Sequence, residues 1–413
     1  MKENEAILKR QKFSYRFKNE DMDFMFNWAV GVGQILGMAP SQVFLSVHGI
    51  KDGDPVAWRE GFLRMARTQL GQAQALIEEK HLLSAGEAYL GAAYAFRFAL
   101  QYTDPTRPGF DEIVLAMEEA FQQGIGCLGV PLRPVEIPFE KASLPGYFLE
   151  HDDQLRPLLL MIGGGDSFRE DLFYVAGYPG WKRGYNVLMV DLPGQGKVPG
   201  RGLYYRPDMG APIRTAIDWV EANAETKPQQ VALYGISGGG WHTAQAAAMD
   251  PRIQAWIAGT PIFDMALTFE REFGAALKAP GWLLNAFLRL TGSFNQSAEI
   301  NLNKYAWQFG TSTFSEAVAQ IPTLVHPVDY TTIRCPCLFL VSEGEAPELK
   351  RQTRVMQADL SCLGVEVTVR EFTAEEGADG HCELNNPRLL HQVVFDWLGR
   401  VFGHDSGDIR LYI

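Results

Sequence analysis

The residues best suited to chemistry in this chain are a serine, a histidine and a carboxylate. Ser237 lies in Gly235-Ile236-Ser237-Gly238-Gly239, after the apolar run Val231-Ala232-Leu233-Tyr234 and before the small-residue stretch Trp241-His242-Thr243-Ala244-Gln245-Ala246-Ala247-Ala248. A strand, a G-x-S-x-G turn and a helix make a nucleophile elbow, a sharp turn that holds the serine in a strained backbone conformation. The flanking positions must be small, and Gly235, Gly238, Gly239 and Gly240 meet that need. The competing reading is a Gly-rich turn that binds phosphate. Against it, the stretch has neither the lysine of a P-loop nor the G-x-G-x-x-G spacing.

A serine hydroxyl is a poor nucleophile at neutral pH. It needs a base within hydrogen-bond reach, and that base needs an orienting acid. After an elbow of this kind the acid comes next in the chain, then the histidine. His381 closes the loop Gly377-Ala378-Asp379-Gly380-His381, after the last expected strand and before a helix begun by Asn386-Pro387. That places it at the carboxyl edge of the sheet, where open α/β sheets bind ligands. Of the other histidines, His48, His81, His151, His326, His391 and His404 lie in places unsuited to this order, and His242 is expected to point away from the site. For the acid, Glu345 is favoured over Glu343, with Glu348 nearby and Asp264 as a rival after the preceding strand.

An oxyanion needs two backbone N–H donors. Gly238, just after the serine, is one expected donor. Gly165, in Gly163-Gly164-Gly165-Asp166-Ser167, is the other. That loop also reads as a plain tight turn before a helix capped by Asp166 or Ser167, and both readings can hold together. Asp191-Leu192-Pro193-Gly194-Gln195-Gly196 is assigned structure, not chemistry. Asp166, Tyr204 and Tyr205 are candidates for touching a substrate. Histidines and carboxylates do not cluster at metal-ligand spacings, so the expected chemistry uses neither metal nor cofactor.

These residues need an α/β frame, and the chain offers one. Short strands are expected over 135–139, 146–150, 158–162, 186–191, 230–235, 254–259, 337–342 and 366–372, with helices between most of them. The inner ones are almost wholly apolar, as when both faces of a mostly parallel sheet are covered by helices. Before this core, residues 1–130 read as helical. Apolar spacing of three and four over 58–80 and 83–102 suggests two closely packed antiparallel helices, and 103–109 breaks the pattern. The core is expected at 131–263 and 327–413. Residues 264–326 read as an inserted helical lid, with segments at 267–277, 282–290 and 314–321. Its Phe269, Phe273, Trp282, Phe287, Tyr305, Trp307 and Phe309 would either line a pocket or pack the lid in place.

Composition fits a large single core with an accessory unit. The chain has 413 residues, 46% of them hydrophobic, and a net charge of −12. There is no Lys/Arg-rich block to bind nucleic acid. No run approaches the roughly 18 apolar residues of a membrane span. The first residues lack the apolar stretch of a secretory signal, and five scattered cysteines suit a reduced, cytoplasmic setting. The expected partner is a small-molecule substrate, and the N-terminal helices could pair two copies as a homodimer.

With these residues together, the chain resembles the α/β-hydrolase superfamily over roughly 130–403. More narrowly it is similar to the FrsA-like branch, which includes 2,6-dihydroxypseudooxynicotine hydrolase and polyketide-shortening hydrolases. The helical extension, the Gly163–Gly165 loop, the elbow and the 377–381 loop carry the likeness. It implies hydrolysis of a C–C bond next to a carbonyl, or of an ester, in aromatic or polyketide-like molecules. A Glu where the family commonly has Asp is a departure, and it leaves the acid open. Acyl transfer or cyclisation by the same residues, and a non-catalytic binding role on the same scaffold, are the alternatives.

Overall fold

Eight strands form one sheet in the order β1-β2-β4-β3-β5-β6-β7-β8. They are β1 (Leu132–Phe139), β2 (Ala142–Leu149), β3 (Leu158–Ile162), β4 (Asn186–Val190), β5 (Val231–Gly235), β6 (Ile253–Ala258), β7 (Cys337–Ser342) and β8 (Val367–Phe372). Every expected strand is present; β3 and β7 have the expected ends, and the others differ by one to four residues at one or both ends. β1 pairs antiparallel with β2, and β2 with β4; every other pairing is parallel. β1 can carry Pro134 and Pro138 because it is an edge strand, where a missing N–H costs no ladder bond. β3, β4, β5 and β7 are buried along their whole length. That matches their unbroken apolar runs and a sheet with helices on both faces.

The computed structural model describes residues 10–35, 37–151, 155–225, 227–274, 280, 281, 283 and 296–403. The expected helix over 282–290 lies almost wholly outside them, as do Trp282, Phe287, His404 and the side chain of Phe273. The chain divides into two compact units. One is Leu132–Gly274, Ile321 onward and the residues up to Lys12; the other is Phe13–Pro131 with Ala275–Gln320. The sequence reading draws its boundaries at 130, 263 and 326.

The second unit is helical. Its first five helices are Glu20–Val32, Pro40–Ser46, Pro55–Glu78, Leu82–Leu100 and Phe110–Cys127. Trp58, Phe62, Phe98 and Tyr102 are fully buried and pack ring on ring. Small residues also let Leu82–Leu100 approach Phe110–Cys127, a closeness the sequence reading did not assign to this pair. A methyl on Gly124 would lie 2.9 Å from Leu90 Cγ and 3.0 Å from Gly86 O. Gly124→Ala is therefore expected to destabilise by roughly 1–3 kcal/mol despite alanine's better helix propensity, read as a fall in Tm. In the same unit Trp307 packs edge-on to Phe110, Tyr305 lies against Phe314 and Phe309 is buried.

The parallel strands β3 to β8 all run the same way. The loops after them therefore gather at one edge of the sheet, which is where a site can be assembled from distant segments.

Candidate active site

Ser237 follows β5 at the tip of the elbow with φ at +54°. That left-handed conformation costs a non-glycine residue about 1–2 kcal/mol. Gly238 then caps the helix Gly239–Met249. The first N–H groups of a helix have no partner within it, so they remain available to a ligand. His381 arrives on the loop after β8, and Glu345 on the turn after β7. His381 Nε2 lies 2.8 Å from Ser237 Oγ. His381 Nδ1 lies 3.0 and 2.8 Å from the two carboxylate oxygens of Glu345. A carboxylate only accepts, so Nδ1 carries the proton. In the neutral ring Nε2 is then the acceptor, facing the serine O–H.

Glu345 is 5% exposed, and its Oε2 also has Thr260 Oγ1 at 3.4 Å. The other carboxylates considered are elsewhere. Glu343 pairs with Lys12, accepts from Ala374 N–H and is held below the usual carboxylate range by that lysine. Asp264 caps the helix Met265–Phe273 by accepting from Leu267 N–H at 3.0 Å. Glu348 pairs with Arg351. Burial pulls the His381 imidazolium down. The Cys382 and Glu345 side chains beside it outweigh burial and hold it well above the ordinary histidine range.

The Gly163–Gly165 loop runs past the serine. A methyl on Gly164 would lie 2.7 Å from Ser237 Cβ and 3.0 Å from Ile236 O. One on Gly238 would lie 3.5 Å from Gly165 N, so these two backbones face each other. Gly164→Ala is expected to displace Ser237 and slow its reaction roughly 10²-fold in a folded protein. The labelling rate with a fluorophosphonate beside a circular dichroism spectrum measures this. The expected cap at Asp166 or Ser167 is not formed. Ser167 Oγ donates to Gly164 O at 3.1 Å, and the helix begins only at Arg169. Asp166 and Tyr204 are exposed. Tyr205 lies with its hydroxyl near Gly165 and its ring 5.8 Å from that of His242.

Residues 159–393 match the model of the Alpha/beta hydrolase family. The chain belongs to the alpha/beta hydrolase family. Hydrolase acrC of Aspergillus aculeatus is 32% identical, with 87% of this chain and 91% of that protein covered. The 20-hydroxy-prefusarin hydrolase FUS2 of Gibberella moniliformis is 30% identical, with 94% and 97% covered. Among solved structures, 2,6-dihydroxy-pseudo-oxynicotine hydrolase superposes with a TM-score of 0.66 at 18% identity, covering 92% of this chain and 97% of its own. AbyA5 superposes at 0.63 and 16%, covering 87% and 89%. At such identities the likeness is one of fold.

Sequence reasoning missed several parts of this hydrolase's site. Gln195, assigned only to a turn, is fully buried. Its amide donates to Gly163 O at 2.5 Å and Gly164 O at 3.1 Å, while its oxygen accepts from Leu192 N–H. It thereby fixes the glycine loop. His242 was expected to point away. Its buried ring lies 3.5 Å from the Gln195 amide and 5.8 Å from the Tyr205 ring, and burial pushes it down to about 3, so it stays neutral. Residues 10–12, placed by sequence with the helical extension, cross the histidine loop. His381 N–H donates to Arg10 O at 2.7 Å, and Lys12 N–H to Asp379 Oδ2 at 2.7 Å. Among the described residues no group of histidines, cysteines and carboxylates could hold a metal, and no helix is long and apolar enough to cross a membrane.

Proposed function

We propose that this chain is a serine hydrolase. It cleaves an ester, or a C–C bond next to a carbonyl, in a bulky aromatic or polyketide-like small molecule through an acyl-enzyme. One observation carries the reading: an unbroken line of hydrogen bonds runs from Glu345 through His381 to Ser237, and ends on a serine held at φ +54°. Ser237 Oγ attacks the carbonyl carbon as His381 Nε2 takes its proton, and Glu345 holds the ring and offsets the imidazolium charge. The N–H groups of Gly238 and Gly165 are our choice for the carbonyl oxygen as it becomes an oxyanion. Removing one such donor typically costs about 3 kcal/mol of transition-state stabilisation.

Collapse of the tetrahedral adduct breaks the bond to the leaving group. For an ester the electron pair leaves on oxygen, and for a 1,3-dicarbonyl it leaves on carbon as an enolate. The imidazolium protonates either one. Water, deprotonated by the same histidine, then releases the acid and restores Ser237. The place of Tyr205 beside Gly165 supports it as a substrate contact, and we extend that role to Tyr204 and Asp166 on the neighbouring loops. A relative named for 20-hydroxy-prefusarin supports a small organic molecule as the substrate.

The test is fluorophosphonate labelling of wild type, Ser237→Ala and His381→Ala, followed by a screen of aryl esters against β-diketones. Labelling is expected in wild type alone, and acid products are expected from one substrate class. Products that appear only as adducts of an added alcohol or amine would overturn hydrolysis in favour of transfer.

A further inference from the structure

Two residues past His381 stands a carboxyl group that these steps do not use. Glu383 is 0% exposed. It and Cys382 both adopt left-handed backbone conformations, φ +57° and +58°, in the turn His381–Glu383. Neither residue is a glycine, so the surroundings must hold this turn in place. Glu383 Oε1 lies 2.8 Å from Ser342 Oγ, at the end of β7. The same Oγ lies 2.6 Å from Gly380 O.

A serine hydroxyl has one proton. Gly380 O can only accept, so the proton of Ser342 must lie between those two oxygens. If it pointed to Glu383 instead, two bare acceptors would face each other at 2.6 Å. The contact with Glu383 therefore takes its proton from the carboxyl. Among the described residues, no protein group donates to Glu383 Oε2. An ionised carboxylate there would be buried with neither oxygen satisfied.

We propose that Glu383 is a positioning residue: a neutral carboxylic acid whose O–H, donated to Ser342 Oγ, locks the His381 loop to the end of β7. This rests on the reading of Ser237, His381 and Glu345 given above. Ser342 is the joint between the two loops. Its carbonyl accepts from Glu345 N–H at 3.1 Å, and its hydroxyl holds Gly380, the residue before His381. Loss of the Glu383 proton breaks the joint and brings a second negative charge toward the imidazole.

The titratable groups around Glu383 are Tyr234 of β5, Glu345 after β7, Arg370 of β8, and His381 and Cys382 of its own turn. Burial pushes its carboxyl up to about 8, and Glu345 pushes the same way, against His381 and Arg370. The acid is therefore neutral at pH 7 and ionises on the alkaline side. Ionisation would also hold the His381 proton more tightly, which removes the base just where the loop loosens.

The experiment is the rate of fluorophosphonate labelling of the full chain between pH 6 and 10. Wild type is expected to label more slowly above about pH 8, the region where Glu383 ionises. Glu383→Gln keeps an N–H for Ser342 Oγ and cannot ionise, so its alkaline decline should vanish. Glu383→Leu removes the donor and should label roughly 10²-fold more slowly at every pH, with Gln rescuing most of the loss. A decline that persists unchanged in Glu383→Gln overturns the proposal, as does a wild type with none, or Glu383→Leu labelling at the wild-type rate. If the Leu protein does not fold, the near-isosteric Gln comparison decides alone. Label that persists in Ser237→Ala would overturn the reading of the site itself, a distinct failure.

Discussion

Ser237→Ala is expected to lower turnover by on the order of a millionfold and to abolish fluorophosphonate labelling, while the protein remains folded. The size of the effect follows from how the group acts. His381 has a proton to take only if the hydroxyl is present, and Glu345 orients a ring that then has no partner. Removing the nucleophile therefore removes the contribution of all three residues. A second variant separates chemistry from backbone. Alanine keeps the Cβ that makes φ +54° unfavourable, whereas glycine adopts that conformation at little cost. Ser237→Gly is thus expected to be as inactive as Ser237→Ala yet more stable by about 1 kcal/mol, less whatever the unfolded chain gains in freedom. Thermal unfolding of the two side by side measures this. A Ser237→Gly protein less stable than Ser237→Ala by the roughly 0.4–1 kcal/mol that glycine's freedom in the unfolded chain costs would mean that the elbow stores no strain. A Ser237→Ala protein that keeps a hundredth of wild-type turnover would mean that another group attacks.

The sheet and the elbow were legible because their causes are local. A strand buried on both faces must be apolar throughout, so β3, β5 and β7 stand out in the chain. A serine at the tip of a tight turn needs small neighbours, and Gly235 and Gly239 declare it. The choice between Glu343 and Glu345 was less legible, since two residues on one turn differ only in which way they face. Partners far away in the chain separate them: Lys12 takes Glu343, while Thr260 and His381 take Glu345. The role of Gln195 was hidden for the same reason. Its amide has a target only once the loops after β3 and β4 lie side by side. The helix cap failed on position. The helix begins at Arg169, so Phe168 takes the N-cap place and Asp166 and Ser167 stand before it. Residues 10–12 could not be assigned at all from pattern, because a backbone pairing with Asp379 and His381 leaves no periodicity to read.

Glu345→Gln is expected to lower kcat by about 10⁴-fold and to move the acid limb of the pH profile downward. The rate falls because the amide can present N–H where the carboxylate presented oxygen. His381 Nδ1 would then become an acceptor, its proton would move to Nε2, and Ser237 would face a donor that cannot take its proton. The shift in pH has a definite sign. In the wild type His381 must be neutral to act as a base, and its imidazolium is held above the ordinary range, so activity should rise only as the pH passes well above 6.5. Glu345 supplies part of that upward push, and burial opposes it. Without the carboxylate burial gains ground, the imidazolium releases its proton more readily, and the residual activity should appear at lower pH. Labelling rates between pH 4 and 9 read both effects at once. Glu343→Gln and Asp264→Asn serve as controls, because their carboxylates are engaged with Lys12 and with the Leu267 N–H, away from the imidazole. If Glu345→Gln costs less than tenfold while either control costs more, the acid has been misassigned and His381 is oriented by something other than the residue 2.8 Å from its Nδ1.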